Sequence, residues 1–247
     1  MNLDLNQYEQ HLSEIVAQFW TTRADAASRQ QASGSSDQGE RSSVTAGKNM
    51  DGFISLLTNL ARANGLVDAR VCTKRSRLTL PGYYRATKNW DLLILSGSRL
   101  LAAIELKSQV GSFGNNFNNR AEEAIGTAHD FWTAYREGAF GTDSPRPFVG
   151  WLMLVEDAPV SRAAGQRLGT PHFDVFPEFR NASYLERYDI LCRKLMLENL
   201  YTSAAVITSS RETSPTGVYG QVSQSTSLRS FAATFAGHCA AEAVRSQ

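Results

Sequence analysis

Disulfide frameworks, zinc sites and membrane spans all need residues that this chain has little of. Its three cysteines, Cys72, Cys192 and Cys239, are odd in number, far apart and without C-x-x-C spacing. That argues against a disulfide framework or a zinc site and leaves them as small buried hydrophobes. The four histidines, His11, His129, His172 and His238, form no ligand-spaced pair, and only His172, in a proline-rich stretch, invites a phosphate contact over ordinary packing. No apolar run reaches the roughly 18–20 residues that a bilayer span needs. The first residues, MNLDLNQYEQHLSEI, are polar and acidic rather than basic then apolar, so a cytoplasmic protein with no membrane partner is expected. No phosphate loop of the GxxxxGKS/T type appears, which disfavours an ATP-driven motor. No internal repeat is visible, and net charge is scarce, at +1 over 247 residues.

What is present is enough apolar material, 42% of residues, to bury a sizeable core. A single domain spanning residues 1–247 is expected. The small net charge conceals a patch. Between Ala69 and Trp90 lie six basic residues, Arg70, Lys74, Arg75, Arg77, Arg85 and Lys88, with no acid among them, and partners respond to patches rather than totals.

Apolar positions at Leu5, Tyr8, Leu12, Ile15, Val16, Phe19 and Trp20 predict a helix over about 3–23. Residues 24–43, which include SGSSDQGERSS, hold too little apolar surface to offset the entropy of ordering them. They read as a mobile polar loop, either a linker or an arm that orders on a ligand. A second helix follows from Met50 to Ala61, stopped by Gly65. It carries Asp51 near its start, where the acid either meets the positive end of the helix dipole or serves as an accessory acid at a metal. A short strand over 69–73 and a Pro81-Gly82 turn come next. Later, 112–120 (SFGNNFNNR) reads as a loop because of its Asn and Gly content, followed by a helix over 121–137. Phe148 to Val155 reads as a strand buried on both faces, placed beside the Glu105 strand. Ser183-x-x-Glu186 is a capping box for a helix reaching about Leu200. A strand at 204–208, a loop over 209–227 and a terminal helix through Leu228, Phe231, Phe235 and Cys239 complete the chain. Helices around a small mixed sheet make the fold α/β.

The stretch from Asn89 to Arg120 carries the chemistry. Leu92–Leu95 and Leu100–Leu106 read as antiparallel strands joined by a tight turn at SGSR, which sets the start of one beside the end of the other. Alternation along the second strand puts Ala103, Glu105, Lys107 and Gln109 on one face and Ile104 and Leu106 on the other. Asp91, Glu105 and Lys107 should therefore converge. Two carboxylates and the Leu106 carbonyl make a partial cage for a hard cation such as Mg²⁺, which acidifies bound water and neutralises a phosphoryl oxygen. A neighbouring Lys107 would orient or deprotonate that water. The competing reading is that Asp91 ends a strand while Glu105 and Lys107 form a solvated pair of little value.

An acid, thirteen residues and Glu-x-Lys resemble the PD-(D/E)XK nuclease superfamily. The segments GKNMDGF (47–53), LTLPGYYR (78–85), ELKS (105–108), SFGNNFNNRAEEAIGTAHD (112–130) and SYLERYDILCRKL (183–195) resemble the XhoI-type restriction endonuclease family. The likeness runs from about Phe19 to about Leu200. It implies a homodimeric, Mg²⁺-dependent type II enzyme that cuts double-stranded DNA at the palindrome CTCGAG, leaves 5′ overhangs and works beside a cognate DNA methyltransferase. Trp90 stands where the superfamily usually has proline, and Gln109, an accessory candidate, where relatives have histidine.

Each CTCGAG half-site would show two guanines and one adenine in the major groove, where Arg suits guanine and Asn suits adenine. Asn115, Asn116, Asn118, Asn119 and Arg120 are the candidate readers, unless their amides merely satisfy the loop backbone. Lys74, Arg75, Arg77, Arg85 and Lys88 are candidates for phosphate contacts, which fix register without reading sequence. A junction or repair nuclease selecting structure, and a DNA-binding protein that has lost catalysis, are the alternatives.

Overall fold

The computed structural model describes residues 5–32, 48–142, 144–165 and 170–245. Its centre is a six-stranded mixed sheet in the order β1-β4-β5-β6-β7-β8. The strands are β1 (Arg70–Cys72), β4 (Leu92–Ser96), β5 (Arg99–Gln109), β6 (Phe148–Glu156), β7 (Ser203–Ser209) and β8 (Gly220–Gln221). A separate hairpin pairs β2 (Thr79–Pro81) with β3 (Thr87–Asn89). β4 and β5 are antiparallel, whereas β5, β6 and β7 run parallel. All nine residues of β6 are buried, as a continuous apolar run in the middle of a covered parallel sheet should be. The edge strands β1 and β8 are short, which limits unpaired backbone at the margins.

Helices cover both faces. α1 (Leu5–Ala32), α2 (Asp51–Ala63) and α5 (Leu228–Arg245) pack on one face with Leu92, Ile94, Ile104 and Leu106. α3 (Phe113–Arg136) and α4 (Tyr184–Leu197) pack on the other with Leu93, Ala103, Trp151 and Val206. The alternation expected along β5 is therefore present. α2 ends at Ala63 before Gly65, whose φ of +96° is the left-handed stop that glycine takes without strain. α4 starts with the expected box: the Glu186 N–H donates to Ser183 Oγ at 3.3 Å, and the Ser183 N–H donates to the Glu186 carboxylate at 2.7 Å.

Three local expectations need correction. α1 continues to Ala32, so 24–32 is helix and not loop, while 33–43 lies outside the described residues. Ala, Arg and Gln sustain a helix by propensity even where most positions face solvent. The stretch 112–120 is not a loop: α3 begins at Phe113, after Ser112 in a left-handed conformation at φ +46°. Phe113 and Phe117, four residues apart, extend the apolar stripe of Ala121, Ala124 and Ala128 into the core, and that burial overrides the low propensity of Asn and Gly. The β2–β3 hairpin was not expected beyond its turn. No helix among the described residues is long and apolar enough to cross a membrane.

Candidate active site

The β4–β5 register pairs Leu92 with Ile104, which leaves Asp91, one residue before β4, beside Glu105 and Leu106. The Asp91 N–H donates to the Ile104 carbonyl at 3.3 Å, and Asp91 Oδ2 accepts the Leu106 N–H at 2.8 Å. The N–H and C=O of one strand residue point toward the same neighbour, so the Leu106 carbonyl is directed to the Asp91 side, past the start of β4. Lys107 Nζ lies 3.0 Å from Glu105 Oε2. Asp91, Glu105 and Lys107 thus meet at one end of the sheet, as their spacing predicts.

Burial sets the electrostatics. Only 2% of the Glu105 side chain is exposed. Burial, then the Glu105 charge and a hydrogen bond with it, push the Asp91 carboxyl up to about 7. Burial would also raise Glu105, but Lys107 and Lys88 outweigh it and hold that carboxyl below its ordinary value. Burial would lower Lys107, yet Glu105, Asp91 and Glu123 push it above the ordinary lysine value. Two buried carboxylates in contact call for a cation. Among the described residues no group of three or more His, Cys, Asp or Glu side chains is set to hold a metal. The donor set is two carboxylates and a strand carbonyl, which fits a hard ion that keeps several waters.

Two neighbours escaped the sequence reading. Glu123, on the third turn of α3, lies 3.2 Å from Lys107 Nζ and also pairs with Arg120. Only the packing of α3 against β5 creates that contact, so spacing along the chain gave no sign of it. Lys88, a candidate for phosphate contact, meets Glu105 Oε1 and the Asn89 carbonyl in the DNA-free chain. The alternation of β3 could have signalled an inward Lys88 had the hairpin been recognised.

The other candidates divide. Lys74, Arg75 and Arg77 are exposed around a 3₁₀ turn at Arg75–Arg77. β1 leaves the sheet here at the Asp91 end, because Cys72 pairs with Leu93. Arg85 is clamped: its Nε donates to Asp130 Oδ2 at 2.8 Å, and the Tyr83 and Tyr84 N–H groups donate to Asp130 Oδ1 at 2.8 Å each. This fixes the hairpin tip on α3. Asn118 and Asn119 are exposed on the first turns of α3. Asn116 donates to the Ser112 carbonyl at 2.9 Å, and Arg120 pairs with Glu123. Asn115 is in the first helical turn, its side chain outside what the structure describes. Gln109 is buried and donates to the Gly111 carbonyl at 2.5 Å. Asp51 is the exposed first residue of α2, at the positive end of the helix dipole, and that helix packs on the sheet face opposite Glu105 and Lys107.

Residues 29–221 match the family described as Restriction endonuclease XhoI. The chain is 57% identical over 200 residues to the type II restriction enzyme XhoI of Xanthomonas vasicola, covering 80% of this chain and 79% of that one. It is 62% identical over 175 residues to the type II restriction enzyme AbrI of Azospirillum brasilense, covering 70% and 77%. It is 47% identical over 219 residues to the type II restriction enzyme BstVI of Geobacillus stearothermophilus, covering 86% and 96%. No solved structure matches the chain. Likeness of this extent, in a chain whose sheet brings two acids and a lysine together, leads to one statement: the chain belongs to the XhoI family of type II restriction endonucleases, enzymes that cut DNA at specific sites.

Proposed function

We propose that this endonuclease is of the PD-(D/E)XK type and hydrolyses both strands of the palindrome CTCGAG in double-stranded DNA, with Mg²⁺, leaving 5′ overhangs. The observation that carries the reading is the contact between Asp91 and Glu105 at one end of the sheet, with Lys107 held on Glu105. Asp91, Glu105 and the Leu106 carbonyl would hold the ion. A divalent ion held there would supply an acidified water and neutralise charge on the scissile phosphate. With its carboxyl pushed up to about 7 beside a second carboxylate, Asp91 would serve as a metal ligand in its ionised form. Lys107, an ammonium fixed between Glu105 and Glu123, acts as a donor that orients water and the phosphoryl oxygens. Glu123 positions Lys107, and Arg120 in turn positions Glu123.

Asn118 and Asn119 present amides from the first turns of α3, and a major groove admits a helix. They are the strongest candidates for the adenine of each half-site. A methyl group on adenine N6 would obstruct such a contact, which suits partnership with a methyltransferase. Lys74, Arg75 and Arg77 supply phosphate contacts near the cutting site. A palindrome has two equivalent halves, which a two-fold homodimer matches.

Digestion of plasmids with mapped CTCGAG sites, with and without Mg²⁺, tests the reading. Discrete fragments that map to those sites and need the ion are the expected result. Nicking confined to branched substrates, or binding without cutting, would overturn it.

A further inference from the structure

Glu105 has both carboxylate oxygens occupied by ammonium groups of different origin. Lys107 takes Oε2 at 3.0 Å, from the same strand and two residues away. Lys88 takes Oε1 from β3 of the separate hairpin, and its Nζ lies 5.3 Å from the centre of the Trp90 ring. The Lys88 side chain is 17% exposed, so this is a buried counter-ion and not a surface pair. A hard divalent ion held by Asp91 and Glu105 needs a Glu105 oxygen. With both Glu105 oxygens held by ammonium groups, a metal that binds this carboxylate must displace one of them or share its oxygen. Lys107 is fixed by its strand and by Glu123. Lys88 is on a flexible four-carbon stem in a hairpin whose flanking residues are exposed, so it is the one able to leave.

We propose that Lys88 is an internal cation that occupies the metal position on Glu105 in the DNA-free protein and leaves it for a backbone phosphate when DNA binds. Metal uptake is then linked to DNA arrival. A divalent ion displacing Lys88 leaves a charge without a partner beside a dry carboxylate pair, and a phosphate supplies the partner. Linkage makes this reciprocal: DNA tightens metal binding by the factor with which metal tightens DNA binding. A cutting site that holds its own counter-ion until substrate arrives would bind metal weakly when idle.

This inference rests on the reading of Asp91 and Glu105 as metal ligands, and its test separates the two. Mn²⁺ binding to the DNA-free protein is measured by electron paramagnetic resonance for the wild type, Lys88→Met, Lys74→Met and the double variant Lys88→Met/Glu105→Gln. Lys74→Met makes the same charge change at an exposed position near the same sheet end. The expected result is Mn²⁺ binding at least about tenfold tighter in Lys88→Met than in the wild type, within the range of site-to-site couplings, with Lys74→Met close to the wild type. In a second measurement, Ca²⁺ should strengthen binding of a CTCGAG duplex by a smaller factor in Lys88→Met than in the wild type. Equal Mn²⁺ affinity in the wild type and Lys88→Met, or an equal gain in Lys74→Met, overturns the role of Lys88 and leaves the metal site standing. A double variant that binds Mn²⁺ as tightly as Lys88→Met overturns the metal site itself and this proposal with it.

Discussion

The two faces of the central sheet use the same strand for different ends. On the face covered by α1, α2 and α5, β5 contributes Ala102, Ile104 and Leu106, which meet aromatic rings such as Phe231 and Phe235. On the face covered by α3 and α4, it contributes Ala103 and then Glu105, Lys107 and Gln109. The first face is apolar behind Asp91 and Glu105 and confines its own ion pair, buried Glu242 of α5 with Arg99 at 2.7 Å, to the start of β5. The other gives up apolar burial at one end to hold two carboxylates and two ammonium groups nearly dry. On the proposed reading, stability and chemistry are separated by the period of a strand, which would let the site carry electrostatic repulsion while the opposite face holds the sheet in place.

If that division is right, substitutions on the two faces should fail differently. Lys107→Ala should lower the single-turnover cleavage rate per folded molecule by about 10²–10⁴-fold, the range for removing a proton-handling or orienting group, and should also lower the melting temperature, because it takes a partner from buried Glu105. A cleavage rate per folded molecule that stayed near the wild type would merge the two faces. Phe235→Ala, opposite, removes a fully buried ring 5.0 Å from Phe148 and should cost about 3–5 kcal/mol of unfolding free energy. Cleavage per folded molecule should be unchanged, as denaturant melts paired with active-site titration would reveal.

Asp91→Asn should stabilise the metal-free protein in a pH-dependent way. The folded pKa of Asp91, about 7, is raised from the ordinary value, so its protonation favours the folded state below the unfolded pKa. That contribution is lost as pH rises toward 7. Asn does not ionise, so the advantage of the variant should be near zero around pH 4 and grow to as much as about 4 kcal/mol at pH 8. Melts across that range check it, and an advantage independent of pH would remove repulsion from the site. Asn118→Ala should lose about 1–3 kcal/mol of discrimination between CTCGAG and single-base variants, read as a ratio of cleavage rates; an unchanged ratio would take Asn118 out of base reading. The smallest effect belongs to Lys74→Met, Arg75→Met and Arg77→Met. Removing a side chain that neutralises a phosphate should reduce the slope of log K against log salt by about 0.9, and an unaltered slope would assign these residues elsewhere.

The site was legible where strand periodicity sufficed. Leu92–Leu95, the SGSR turn and Leu100–Leu106 determine a hairpin, and the hairpin brings Asp91 to Glu105 without help from the rest of the chain. Phe148–Val155 was legible because only a covered central strand tolerates such a run. Reading failed where tertiary burial outweighed local propensity. Phe113 and Phe117 drive a helix through an Asn- and Gly-rich stretch, so the candidate base readers sit on a helix and not on a loop. It failed again where contacts join distant segments. Glu123 reaches Lys107 from α3, Asp130 captures Tyr83, Tyr84 and Arg85 across more than forty residues, and Lys88 turns inward because a hairpin forms around Gly82. Charge alone makes Lys88 and Arg85 candidates for phosphates, and it does not show the buried carboxylate that each meets in the DNA-free chain.

The most direct test is the single-turnover cleavage rate of a CTCGAG duplex by Glu105→Gln, measured in Mg²⁺ beside the affinity of the same protein for that duplex. The expected result is a rate reduced by about 10³-fold or more, some 4 kcal/mol less transition-state stabilisation, with affinity within about tenfold of the wild type. Cleavage within a few-fold of the wild-type rate would contradict the assignment of this end of β5 as the cutting site.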